Sequence, residues 1–163
     1  MPNPERITGG TVCLGPLGVP AFDPAAFAEQ YLRDVPLPVP DPTIPPGRMI
    51  VAFPATVVTT TPVTFDTTAP SPFGPLRIRA RADIVVDWGD GEQTGPYDHP
   101  GEPYPNGHIV HRYASAGRYD VTVTYRWTTT WTWGAQSGAI PGTIDTTTTI
   151  PRFTVVELQA RTN

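Results

Sequence analysis

Across residues 77–88 the chain alternates clearly between apolar and charged residues. Ile78, Ala80, Ala82, Ile84, Val86 and Trp88 share one parity, and Arg77, Arg79, Arg81, Asp83 and Asp87 the other. A period of two describes a strand with one face in a core and one in water, and no helix can satisfy it. A second run, residues 119–133, repeats the pattern. It places Tyr119, Val121, Val123, Tyr125, Trp127, Trp131 and Trp133 on one face, with Arg118, Asp120, Thr122, Thr124, Arg126, Thr128, Thr130 and Thr132 on the other. At that length it spans roughly 50 Å, so the run either bends onto a second sheet or projects beyond the core. Residues 144–150 and 153–158 read as its antiparallel return, with a bulge indicated by Pro151 and by the phase change between Val155 and Val156. Earlier, residues 49–53 and 55–59 read as one strand or two, with Pro54 at an edge or bulge. Residues 62–66 read as another strand, before a turn region at 70–72. The class predicted is all-β and antiparallel.

The rest of the chain leads into this β region. At 163 residues there is room for one domain and an appendage, with the boundaries 1–22 (irregular arm), 23–34 (short helix), 35–48 (proline-rich linker) and 49–163 (β domain). Glycines and prolines break any period in the arm. Asp23 followed by Pro24 is an N-cap signal, and Phe27, Tyr31, Ala28 and Leu32 recur at i,i+4. A helix this short needs something to lie on, either the β core or a partner. The alternation of proline with apolar residues from 35 to 42 predicts polyproline II, read as a stiff linker or as a ligand for an aromatic groove.

Several functions are excluded or disfavoured by the residue inventory. The net charge is −4 and all eleven basic residues are arginine, clustered only at Arg77, Arg79 and Arg81, so no nucleic-acid partner is expected. Without lysine there is no Schiff-base or P-loop chemistry. The lone Cys13 cannot close an intramolecular disulfide, and no CxxC pair suggests a metal or redox centre. No apolar run approaches the about 18 residues that cross a bilayer, and no basic-then-apolar leader stands at the N-terminus. Either Met1 is the native start or an export segment has been removed.

Three separated segments carry a resemblance. Asp87, Gly89, Asp90 and Gly91 end an alternating strand in a tight turn, His111 and Tyr113 follow, and Gly117, Tyr119, Val121 and Val123 open the next strand behind a glycine turn. In this order they resemble the signature of the PKD family, immunoglobulin-like β-sandwich modules with DxGDG, HxY and G-x-Y-x-V-x-V motifs. The resemblance covers roughly residues 49–158. Two positions depart from the pattern: Val86 stands where the family has tryptophan, and Trp88 where it has phenylalanine. The helix and proline-rich lead-in are also similar to those of uncharacterised actinobacterial PKD-domain proteins. Some of these carry a cysteine pair that would fall here near Thr94 and Asn106, and this chain lacks it. The resemblance implies an immunoglobulin-like (PKD-type) antiparallel β-sandwich, extracellular or on a cell surface, acting as a scaffold or in protein or glycan interaction without catalysis. The alternative is a structural component of a larger assembly, a phage virion or secretion apparatus, docking through the N-terminal arm and helix.

No enzyme and no cofactor are expected. Ser71, Ser115 and Ser137 stand in turns outside any nucleophile motif, and Cys13 is far in sequence from every histidine. His108 and His111 form an HxxH, but on a strand i and i+3 face opposite ways, so no metal site is assigned there, and His111 reads as structural. Asp87, Asp90, Glu92 and Asp98 are weak calcium candidates, since turn-capping already explains the first two. The candidate partner-binding residues are Tyr97, His99 and Tyr104 in the long polar loop 92–107, and Trp127, Trp131 and Trp133 on the aromatic face. A competing role for these tryptophans is to cap the core and lie against the helix.

Overall fold

The computed structural model describes residues 22–159, so Cys13 and all of the expected arm but Phe22 lie outside the described residues. Asp23 caps helix α1 (Pro24–Asp34): its Oδ1 accepts the amides of Ala25 and Ala26 at 3.1 and 3.4 Å, and Pro24 opens the first turn. Ala28 and Leu32 are buried, with Phe27 and Tyr31 half-buried beside them. Four short strands follow: β1 (Pro42–Thr43), β2 (Arg48–Ile50), β3 (Pro54–Thr56) and β4 (Val58–Thr59). The longer elements are β5 (Thr64–Ser71), β6 (Gly74–Asp87), β7 (Gln93–Tyr97), β8 (Val110–Arg112), β9 (Gly117–Trp133), β10 (Gln136–Ala139) and β11 (Ile144–Val156).

The described residues are all-β with one short helix. Its main sheet has seven strands in the order β2-β11-β9-β6-β5, with β7 beside β6 and β10 beside β9. β9 is the spine. On one side it pairs with β6 from Thr122 to Thr132; on the other it meets β11 from Gly117 to Trp127 and then β10 from Thr130 to Trp133. The 17-residue strand therefore neither crosses to a second sheet nor projects, because it has partners on both sides along nearly all its length. Its far end and that of β6 are covered by α1. β3 with β8, and β1 with β4, form two small ribbons outside the main sheet. All strand pairs are antiparallel but one, β2 beside β11, which is parallel.

The strand predicted over residues 49–59 is broken into three pieces that pair in three different sheets. The reason is the turn at Ala52, which adopts φ 67 and is held by its amide to Tyr113 O at 2.9 Å and by Arg112 Nη1 to its own carbonyl at 2.8 Å. A bulge interrupts β11 between Ile150 and Phe153, at the Pro151 that indicated it, and none falls at the phase change between Val155 and Val156. Arg152 there has φ 52, and its amide is taken by the Asp120 carboxylate at 2.9 Å.

The segment predicted as a stiff linker is a strap built into the fold. Leu37 and Ile44 are 4% and 3% exposed. Prolines cannot donate, so the strap is held through its carbonyls: Thr146 Oγ1 donates to Pro38 O at 2.7 Å, Thr148 Oγ1 to Pro40 O at 2.6 Å, and Thr61 Oγ1 to Val39 O at 3.1 Å. The two-residue spacing of Pro38 and Pro40 matches the spacing of same-face residues on β11. Replacing both Thr146 and Thr148 by valine keeps their shape, removes both donors and also takes from the Trp127 indole its Thr146 Oγ1 acceptor. The expected loss is about 1–3 kcal/mol in denaturant unfolding, with faster proteolysis across residues 35–48 under native conditions. Unchanged proteolysis would return the segment to a linker.

Candidate functional site: a locked turn, a histidine-pinned loop and an apolar groove

The three motif segments meet at one place. Asp87 Oδ1 accepts the Gly89 amide at 3.0 Å and Asp90 Oδ1 the Glu92 amide at 3.1 Å, so each aspartate closes its own turn. The other Asp90 oxygen meets His111 Nε2 at 2.6 Å, and Glu92 approaches His111 Nδ1 at 3.2 Å. His111 is 8% exposed, with Trp88 stacked on it at 4.9 Å between centroids. Tyr113 donates its buried hydroxyl to Trp88 O at 2.9 Å and stacks on Tyr119 at 4.4 Å, while Tyr119 donates to Ser115 O at 2.8 Å. Gly117 sits against the Tyr119 ring. Trp88 is fully buried, as is Val86, and its indole N–H donates to Thr94 Oγ1 at 2.8 Å. The displaced aromatic thus fills this corner of the core.

The electrostatics of the cluster are those of a latch. Burial by itself would raise the Asp90 carboxyl, but the hydrogen bonds from His111 and the Glu92 amide, with the charge of His111, outweigh it and hold the carboxyl below its usual range. Burial, reinforced by the nearby Asp90 carboxylate, pushes the Tyr113 phenol far up, so it stays a neutral donor. Of the calcium candidates, Asp87 and Asp90 are engaged by backbone amides and His111, Glu92 approaches His111, and Asp98 pairs with its neighbour His99 at 2.6 Å. No group of three or more metal-ligating side chains converges among the described residues.

The 92–107 loop is shorter than the sequence suggests, because residues 93–97 form β7 along β6. What remains is pinned by histidines. His99 stacks on His108 with centroids 3.6 Å apart, and Tyr97 meets His108 edge-on at 5.5 Å. Burial, and then the neighbouring His99, lower the His108 pKa, while the side-chain bond to His99 lowers that of Asp98. His108 and His111 therefore serve different clusters. Tyr97 is half-buried and His99 exposed, whereas Tyr104 is 74% exposed.

Trp127 is corrected from contact residue to core. It is fully buried, and its indole donates to Thr146 Oγ1 at 2.9 Å. Trp131 and Trp133 are half-buried against the core: Trp131 lies flat over Gly138, and Trp133 packs edge-on to Phe22 at 4.9 Å and donates to Phe73 O at 3.1 Å. They cap the far end of the sheet next to α1.

The surface that does stand open surrounds Tyr104. A groove of about 510 Å³ runs between Tyr104 and Phe53, the latter 55% exposed, with Met49, Thr56 and the prolines 45, 46, 54 and 103 as its lining. Sequence reasoning found Tyr104 and missed Phe53, which reads as a strand residue until the turn at Ala52 exposes it, and Met49, which stays in β2 half-buried against the core. The arginine cluster faces solvent, with Arg77 and Arg79 reaching Asp66 at 2.5 and 3.5 Å. Among the described residues no helix is long and apolar enough to cross a membrane. No protein-family model, curated protein or solved structure matches the chain.

Proposed function

We propose that this chain is a PKD-like, immunoglobulin-like β-sandwich module, extracellular or on a cell surface, that acts without catalysis as a scaffold presenting the Phe53–Tyr104 groove to a partner. The observation that supports it most is the convergence of the three PKD-like segments on the Asp90–His111–Tyr113–Trp88 latch, where these four side chains hold one another or the backbone of the turn. The groove's lining is apolar with few hydrogen-bonding groups, which favours an apolar protein segment over a glycan. The alternative, docking into a larger particle through the N-terminal arm and helix, is less favoured for the helix, because Ala28 and Leu32 of α1 are buried against its own sheet, while the arm but for Phe22 lies outside the described residues.

A double variant, Phe53→Ser with Tyr104→Ser, removes two exposed rings and tests this reading. Its melting temperature is expected to stay within a few degrees of the parent. Binding to immobilised cell-envelope proteins is expected to fall at least tenfold, with purified cell-wall polysaccharide neither bound nor hydrolysed by the parent. Polysaccharide hydrolysis, or binding that survives the double substitution, would overturn the proposal.

A further inference from the structure

We infer that the open edge of β5 is a self-association site, through which two copies of this chain join their main sheets across a two-fold axis. The inference stands on backbone register and does not depend on the PKD-like reading.

The direction of each backbone group in β5 follows from its pairing. Ala82 N donates to Val63 O at 2.8 Å, and Ser71 pairs with Gly74 at the end of a hairpin with a two-residue loop. Residues 63, 65, 67, 69 and 71 therefore exchange hydrogen bonds with β6, and the backbone groups of Thr64, Asp66, Thr68 and Pro70 point away from it. The presence of Pro70 inside the strand agrees with this parity, because its missing N–H falls on the open side. Among the described residues nothing pairs with that side, for β5 forms the end of the sheet.

The other edges of the main sheet are protected by their shortness or irregularity, whereas β5 carries only Pro70, near its end, as a device of this kind. β2 has three residues, β10 four, and β7 five with a register shift beside it. β5 keeps eight residues in unbroken register. Its one charge, Asp66, is held back against Arg77 and Arg79 of its own sheet and does not serve as a free repelling group.

A second copy fits this edge in one register. With Thr67 on the two-fold axis, Asp66 faces Thr68 of the partner strand, and Thr64 faces Pro70, whose carbonyl accepts. No like charges oppose. A slip of one residue in each strand sets Asp66 against Asp66 in one direction, and in the other sets Asp66 against Pro70 and leaves Thr64 outside the pairing, so charge and hydrogen bonding together select the register.

Light scattering on the full chain over a wide concentration range is expected to show a monomer–dimer equilibrium. Thr68→Pro removes an outward N–H and no bond to β6, so it should give a monomer with unchanged melting temperature. Thr67→Pro removes an inward N–H and should destabilise the fold instead. Independently of folding effects, Thr67→Cys in a Cys13→Ser background should form an intermolecular disulfide on mild oxidation. A monomer at every concentration, a dimer that persists in Thr68→Pro, or no cross-link at position 67 would overturn the inference.

Discussion

Trp88→Ala is expected to cost about 3–5 kcal/mol of folding stability, a large part of what a domain of this size has. Three separate losses add up at this position. The fully buried ring leaves a cavity between the β6–β7 turn and β8. Its stacked partner His111 loses one wall of its site, and the Asp90–His111 bond loses the shielding that strengthens it. Thr94 loses its indole donor. Trp88→Phe separates these terms, since it restores an aromatic face and gives up the indole N–H. Its cost should be about 1–2 kcal/mol, from the lost hydrogen bond and a smaller cavity. Denaturant unfolding followed by near-ultraviolet circular dichroism measures both. If Trp88→Ala and Trp88→Phe cost the same, packing on His111 contributes nothing, and the motif segments are not held together through this ring.

The latch and the strap were unequally legible in the sequence. The alternation in β6 and β9 was plain because both strands carry one wet face along their whole length, so each residue repeats the same information. The aspartate turn was equally plain, because its hydrogen bonds run to residues two positions away. The strap was misread because its partners, Thr146 and Thr148, lie 108 residues further on. A proline-rich run looks the same whether its carbonyls face water or threonine hydroxyls. Trp127, Trp131 and Trp133 share a parity that says they face one side, and only the position of α1 decides that this side is covered. Phe53 was hidden by the reverse effect, an apolar residue in a strand-like run that a left-handed alanine turns out to solvent.

Gly89 and Gly91 belong to one turn and both have positive φ, at 81° and 94°, yet their substitution by alanine is expected to differ widely. A Cβ on Gly91 meets nothing within 4 Å, so the cost of Gly91→Ala is that of a left-handed alanine alone, about 1–2 kcal/mol. A Cβ on Gly89 would stand 2.6 Å from Asp120 O and 3.0 Å from Asp120 N, both backbone atoms of β9 that cannot swing aside. Gly89→Ala therefore adds overpacking to the same conformational strain, for roughly 2–5 kcal/mol in all. Relief would require the turn to lift from β9, and Asp120 is the residue whose carboxylate caps the Arg152 bulge in β11, so the disturbance should reach a third strand. Hydrogen exchange of the Arg152 amide reports on this directly. It should quicken in Gly89→Ala and stay unchanged in Gly91→Ala. Equal costs for the two variants would mean that the first glycine of the motif is kept for backbone freedom alone. A selective loss at Gly89 would show that it is kept so that the turn can lie directly on the spine of the sheet.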